Sequence, residues 1–276
     1  MTLAGVMGWP VGHSLSPLIH RFWLEALGVE GEYVRLAVRP ERLAAALAAL
    51  APLGFAGVNV TVPHKVAAMA YLDRLDAMAK AVGAVNLVRV AEDGSLEGSN
   101  TDVEGVREAL AGWTGGQVVL VGAGGAARAA VVALRDLGAS RLIVLNRTRR
   151  AAEELVAAAG LPGTVGDLAA PLPPGTSLLV NASSLGMRGQ PAYTPDLRPL
   201  GPGAMVFDMV YAPLATPLVQ AARAKGLAVR DGLLMLVGQA RAAFRTLFRA
   251  DPPRDRDAEL RQRLLAACEP GPRPQR

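Results

Sequence analysis

Three short clusters in the N-terminal part of the chain carry side chains that can hold a proton or bind an anion. The run Asn59-Val-Thr61-Val-Pro-His-Lys65 places an amide, a hydroxyl and an amine just after a segment that reads as a buried strand. Pro63 takes the chain out of any sheet at that point, and Lys65 sits where a loop turns into a helix. Asn100-Thr101-Asp102 supplies a carboxylate at a second loop. An amine and a carboxylate together can hydrogen-bond a hydroxyl, position it and stabilise alkoxide charge as a proton moves. Asp102 has a second reading, as the cap of the helix that follows it. In Gly12-His13-Ser14-Leu-Ser16-Pro17, Ser16 reads as a helix N-cap with Pro17 in the favoured first helical position. Capping does not account for Ser14, and two hydroxyls beside a helix start suit a carboxylate. Only Lys65, Lys80 and Lys225 are lysines among the 29 basic residues, so an amine at position 65 stands out against an arginine background.

A fourth cluster names a cofactor. After Val118-Val-Leu-Val121 the chain reads Gly122-Ala123-Gly124-Gly125-Ala126-Ala127 and opens a helix, and a second strand ends at Asn146-Arg147-Thr148-Arg149-Arg150. In such a strand-glycine-helix unit the first Gly makes the tight turn and the second lets backbone approach a pyrophosphate. The third small position, here Ala127, lets helix pack on strand. The diphosphate sits on the helix N-terminus. An NAD site ends its second strand with an acidic residue for the ribose 2′-hydroxyl, whereas this one ends with Asn and nearby arginines, which suits a 2′-phosphate. The expected cofactor is NADP. A nicotinamide domain moves hydride, so the remainder of the chain must hold a carbonyl or alcohol and exchange a proton with its oxygen.

The elements that must position these groups follow from periodicity. Strands are expected at 2–7, 33–38 and 57–62, helices at 17–27 (stopped by Gly28), 40–50 and 75–82, and a hairpin at 84–99. A connecting helix at 102–110 leads to the nucleotide unit, with a strand at 118–121, a helix at 126–137, a Gly138 stop, and strands at 141–145, 177–181 and 204–209. Long helices at 232–249 and 255–268 precede a Pro/Arg tail expected to be disordered. The fold class is α/β with two domains: an N-terminal α/β substrate domain (1–102), a Rossmann-type, doubly wound parallel-sheet domain for NADP (103–236), and C-terminal helices (237–276) returning to the first.

Composition narrows the function classes. The 276 residues suit about two domains. A formal charge of +5 is spread along the chain without a basic run or interleaved aromatics, which argues against nucleic acid. The lone Cys268 excludes an intrachain disulfide, and His13, His20 and His64 lack metal-ligand spacing, so no metal is expected. No leader or membrane span is read, leaving a cytoplasmic protein as the expectation. The partners expected are a small-molecule substrate and, at most, a second copy in a homodimer.

Nine segments in order also resemble the shikimate dehydrogenase family. They are Gly8-Trp-Pro-Val-Gly-His-Ser14-Leu-Ser16-Pro17, Gly57-Val-Asn59-Val-Thr61-Val-Pro-His-Lys65, Gly83-Ala-Val-Asn86, Gly98-Ser-Asn100-Thr101-Asp102, Gly122 to Ala127, Asn146-Arg147-Thr148, Asn181-Ala-Ser-Ser-Leu-Gly186-Met187, Asp208-Met-Val-Tyr211 and Gly232-Leu-Leu-Met235-Leu-Val-Gly-Gln239. Ser183-Ser184 departs from the small Thr/Ser-Pro type of pair in that pattern. The resemblance implies NADPH-dependent reduction of 3-dehydroshikimate to shikimate, a step toward chorismate and the aromatic amino acids. It implies that Ser14 and Ser16 bind the substrate carboxylate, that Thr61, Asn86, Asp102 and Gln239 hold ring hydroxyls, and that Lys65 with Asp102 is the acid-base pair. Tyr211 would reach the substrate, Asn146, Arg147, Thr148 and Arg149 the adenosine ribose and its phosphate, and Val210 and Gly232 the nicotinamide. The alternatives are a quinate/shikimate dehydrogenase with relaxed substrate or NAD use, and a non-catalytic NADPH-binding regulatory protein.

Overall fold

The computed structural model describes residues 1–268; the expected disordered tail lies outside the described residues. The chain divides into two compact units, Met1–Thr101 with Gln239–Ala267, and Asp102–Gly238. In chain order the first unit holds β1 (Thr2–Gly8), α1 (Ser16–Leu27), β2 (Gly31–Ala37), α2 (Leu43–Ala48), β3 (Phe55–Val60), β4 (Arg74–Leu75), α3 (Ala77–Val82), β5 (Leu87–Val90) and β6 (Leu96–Ser99). Then come α4 (Asp102–Ala109), β7 (Gly116–Val121), α5 (Gly125–Asp136), β8 (Ala139–Leu145), α6 (Arg149–Ala158), β9 (Gly163–Gly166), β10 (Thr176–Asn181), β11 (Met205–Asp208), α7 (Pro217–Ala224) and β12 (Ala228–Asp231). The last helices are α8 (Gly232–Phe248) and α9 (Asp257–Cys268).

The first sheet runs β2-β1-β3-β5-β6-β4 and is mixed: β1 is parallel to β2 and β3, while β5 is antiparallel to β3 and β6. Side chains alternate across it. Val58 and Val60 face a core with Met7, Leu43, Leu47, Leu50 and Val88. On the other face, Trp23, Tyr33 and Phe244 are fully buried, and His20, Trp23, Phe244 and Phe248 form one aromatic cluster. The C-terminal half of α8 packs close to the sheet backbone, where a Cβ on Gly57 would lie 2.8 Å from Leu247 Cδ2 and 2.3 Å from the Val88 carbonyl oxygen.

The second sheet is wholly parallel, β12-β11-β10-β7-β8-β9. This is the doubly wound arrangement of dinucleotide-binding sheets, with chain order reversing direction between β7 and β10. Its central strands are buried almost end to end, as expected where both faces are covered. Among the described residues no helix is long and apolar enough to cross a membrane.

Several expectations shift. Ser16 does not cap α1: it is the first helical residue, Leu15 occupies the cap position, and no side-chain cap bond forms. The Ser14 hydroxyl oxygen instead accepts from the Ser16 N–H at 3.3 Å. The helix expected over 40–50 divides into a 3₁₀ turn, Pro40–Arg42, and α2. The helix expected at 75–82 starts only after β4, with Asp76 accepting from Ala79 N–H at 2.6 Å. The segment after Lys65 is a 3₁₀ helix, Ala67–Tyr71, not an α-helix.

Candidate active site

In the first unit the chemistry-bearing residues gather on one sheet edge. β1 and β3 run parallel, so the segments after Gly8 and Val60 leave from the same edge. β5 starts there and β6 ends there, with Asn59 opposite Leu87 and Leu87 opposite Ser99. Ser14, Ser16, Thr61, Lys65, Asn86 and Thr101 thus belong to adjacent connections of one edge, although they span much of the unit's sequence.

Asn86 is the hub of that edge. Its backbone N–H donates to Ser99 at 3.1 Å, and its carbonyl accepts from Val60 at 2.8 Å and from the Asn59 side-chain amide at 3.1 Å. Its own amide donates to Thr101 Oγ1 at 3.0 Å and to Gln239 Oε1 at 3.5 Å, and its Oδ1 accepts from the Thr101 N–H at 2.7 Å. Ser14, Ser16, Asn59, Asn86, Thr101 and Gln239 are all buried, so each polar atom needs a partner and its orientation is restricted. The Ser14 carbonyl receives two bonds from the Arg35 guanidinium, at 3.2 and 2.7 Å, which fix the serine loop. Thr61 and Lys65 are half-buried. The backbone around Lys65 is pinned on both sides, by Thr61 N–H to Met7 at 2.9 Å and by Val85 N–H to the Lys65 carbonyl at 2.8 Å. His64 is buried, and its Nε2 pairs with the Val38 carbonyl at 2.7 Å, so it serves the fold. Asn100 likewise donates to the Ala84 carbonyl at 2.9 Å.

Asp102 follows Thr101 directly and is the buried first residue of α4. The remaining predicted groups of the second unit lie at the carboxyl ends of its parallel strands, where open α/β sheets bind ligands. Gly122 follows β7 with φ +105°, and a Cβ there would lie 3.0 Å from the Ala182 carbonyl oxygen, so the turn requires glycine. Gly124 is exposed and a Cβ on it would meet nothing within 4 Å, which leaves room above the α5 N-terminus. That helix has no side-chain cap bond and no acidic residue in its first turn. Its N–H groups and dipole suit a diphosphate. Ala123 and Ala126 complete the turn, and Ala127 is fully buried.

Asn146 turns its amide to the Thr148 carbonyl at 2.9 Å, and Arg147, Thr148 and Arg149 are exposed. These residues fit a cofactor carrying a 2′-phosphate: an uncharged strand end, a helix start and accessible guanidinium groups. Val210 and Gly232 are buried beyond the ends of β11 and β12, and Tyr211 is half-buried, with burial pushing its phenol up.

Asn181 and Asp208, quoted in the motifs without a role, form a buried pair beside this turn. The Asn181 amide donates to Asp208 Oδ1 and to the Leu185 carbonyl, both at 2.9 Å. Asp208 also accepts from Val210 N–H at 3.1 Å and Thr216 Oγ1 at 2.6 Å, while burial raises its pKa. Ser183 donates to Asn181 Oδ1 at 2.7 Å and accepts from Leu185 N–H, so the departing Ser183-Ser184 pair is built into the loop.

Comparison with known proteins agrees with both units. Residues 6–88 match the shikimate dehydrogenase substrate binding domain, and residues 104–165 match the shikimate / quinate 5-dehydrogenase family. The chain is 49% identical over 265 residues to shikimate dehydrogenase (NADP(+)) of Rhodospirillum rubrum, covering 92% of this chain and 94% of that one. It is 49% identical over 266 residues to the enzyme of that name from Sphingopyxis alaskensis, covering 95% and 97%. Shikimate 5-dehydrogenase from Thermus thermophilus, solved in complex with NADP(H) and shikimate, superposes with a TM-score of 0.86 at 38% identity, covering 96% of this chain and 100% of that one. With a doubly wound sheet ending in a glycine turn, a polar sheet edge built around Asn86, and relatives that match nearly from end to end, the chain belongs to the shikimate dehydrogenase family.

Proposed function

We propose that this chain catalyses the reversible NADPH-dependent reduction of 3-dehydroshikimate to shikimate, in the cytoplasm, as a step of aromatic amino acid biosynthesis. The observation that carries it is the single sheet edge of the first unit, where two serine hydroxyls, a threonine, an amine and the Asn86 network share adjacent connections. A ring bearing one carboxylate and several hydroxyls needs such an inventory, and buried donors reject analogues that leave them unpaired.

Bound NADPH supplies the hydride. Gly122, Ala123, Gly124, Gly125 and Ala126 would hold its diphosphate, Asn146, Arg147, Thr148 and Arg149 its adenosine ribose and phosphate, and Val210 and Gly232 its nicotinamide end. Ser14 and Ser16 bind the substrate carboxylate, Thr61, Asn86 and Gln239 hold ring hydroxyls, and Tyr211 contacts the substrate. Lys65 gives a proton to the carbonyl oxygen as it becomes a hydroxyl, and takes one back in the reverse direction, while Asp102 hydrogen-bonds the same oxygen.

Initial rates with shikimate or quinate, each with NADP⁺ or NAD⁺, test the reading. Shikimate with NADP⁺ should dominate. No turnover of that pair overturns the activity, faster quinate turnover overturns the substrate, and comparable rates with NAD⁺ overturn the 2′-phosphate assignment. Lys65→Ala should lower kcat by about 10²–10⁴-fold with a much smaller change in the KM for shikimate. A large rise in KM at normal kcat would reassign Lys65 to binding.

A further inference from the structure

The peptide that joins Met209 to Val210, just past the end of β11, is held at both of its edges. It is trans, so its N–H and C=O point in opposite directions. The Val210 N–H donates to Asp208 Oδ1 at 3.1 Å. The Met209 carbonyl lies against Gly232, where a Cβ would sit 2.3 Å from its oxygen. The other two partners of Asp208 are donors whose directions are fixed by bonds of their own. The Asn181 amide nitrogen reaches the Leu185 carbonyl at 2.9 Å, a group that can only accept, so nitrogen and not oxygen faces Asp208. The Thr216 hydroxyl accepts from the Val219 N–H at 3.2 Å and gives its own proton to Asp208 Oδ2 at 2.6 Å. Three donors therefore converge on Asp208, the surroundings of a carboxylate rather than of an amide. Asp208, Asn181 and Thr216 are all buried, so water does not compete for these bonds. Burial pushes the Asp208 acid up, and the three donors pull against it.

We propose that Asp208 is a positioning residue for the nicotinamide end of the cofactor, fixing the Met209–Val210 peptide between its own carboxylate and Gly232. This rests on the reading of Val210 and Gly232 as the residues that hold that end. Both border the same peptide, so a shift of the Asp208 carboxylate displaces one of them against the other. Thr216 ties the carboxylate to α7, whose first turn it caps, and Asn181 ties it to β10, the neighbouring strand. The seat is thereby referred to two regular elements instead of to the loop that carries it. The residues read as holding the adenosine 2′-phosphate stand past the end of β8, which is separated from β11 by β10 and β7. That separation centres the effect of Asp208 on the nicotinamide end.

Asp208→Asn keeps the shape of the side chain but turns an amide N–H₂ toward one of the three donors. We expect the dissociation constant of NADPH, read by titrating its fluorescence, to rise about 5- to 30-fold, and kcat to fall about 10-fold as the hydride donor loses its alignment. Adenosine 2′,5′-bisphosphate carries the adenosine end and no nicotinamide. Its inhibition constant, like the KM for shikimate, should stay within about twofold of the parent, whereas a merely structural loss would weaken both nucleotides together. Equal weakening of NADPH and the bisphosphate, unchanged NADPH binding, or a lowered unfolding midpoint as the only effect overturns the inference. If Asp208→Asn does not fold, Thr216→Val, which removes one of the three bonds, carries the same comparison with about a 3- to 10-fold rise expected for NADPH. Gly232→Ala, whose methyl would strike the same peptide, tests the underlying reading. Unchanged NADPH binding in that variant overturns the reading of the seat and the inference with it, while weakened binding there and no effect of Asp208→Asn overturns the inference alone.

Discussion

Arg149 and Arg150 each pair with a glutamate one turn along α6, at 2.9 and 3.0 Å, so their charge is partly neutralised by their own helix. Arg147 makes no ion pair among the described residues and sits just outside that helix, next to the uncharged Asn146. It is therefore the guanidinium most available to a 2′-phosphate. Arg147→Ala should weaken NADP⁺ by about 1.5–3 kcal/mol and leave NAD⁺ nearly unaffected, as read from the two Michaelis constants. Equal weakening would show that the side chain does not sense the phosphate. At this scale a residue is legible in sequence when its surroundings are local. The arginines stand in one run, and Ser14 and Ser16 flank one helix start. Tyr33 was not legible, because its partner Asn59 is 26 residues away. Asn181 and Asp208 stood in the motifs, but only the pairing of β10 with β11 makes them one buried unit.

Elements were legible where a periodic run ended in a strong stop. α1 ends at Gly28 in the left-handed region, and α5 and β8 lie within one or two residues of expectation on either side of Gly138. β9, α7 and β12 were not anticipated. β9 carries two glycines in four residues, α7 is eight residues long, and the four-residue β12 has no alternation, so each owes its existence to a neighbour in the sheet or against it. The glycine turn between β7 and α5 gives a test at this scale. Gly122→Ala places a methyl against the Ala182–Ser183 backbone at a φ of +105°. The strain should cost about 1–3 kcal/mol and raise the KM for NADP⁺ more than that for shikimate. Calorimetry of the unfolding transition and steady-state kinetics would read the two effects, and an unchanged transition would show that the loop yields freely.

At the scale of the whole molecule, the chain passes from the first unit to the second at Thr101–Asp102 and returns at Gly238–Gln239, inside α8. The helix supplies Gln239 to the Asn86 network and Phe244 to the aromatic core of the first unit. That core also sets a pH dependence of folding. His20 titrates near 6.5 when unfolded and at about 3 when folded, so between these values the unfolded chain binds the extra proton. Stability is full above pH 6.5 and falls as the pH drops toward 3, by about 1.4 kcal/mol per pH unit for this one group. His20→Phe removes that contribution. Between about pH 7.5 and about pH 5 the variant should therefore lose about 2 kcal/mol less than the parent in denaturant unfolding, and parallel losses would show that His20 is not the group responsible.

The sequence by itself determined the α/β class, the glycine turn and the arginine-rich strand end, because turn chemistry, period and strand-helix alternation are properties of neighbouring residues. Only the tertiary structure decided that Ser14, Thr61, Asn86 and Thr101 occupy adjacent connections of one edge, that Ser14 rather than Ser16 receives the helix-start N–H, and that Tyr33 reaches Asn59. Those relations depend on strand pairing and register, and register is set by burial across the whole sheet rather than by any local run of residues.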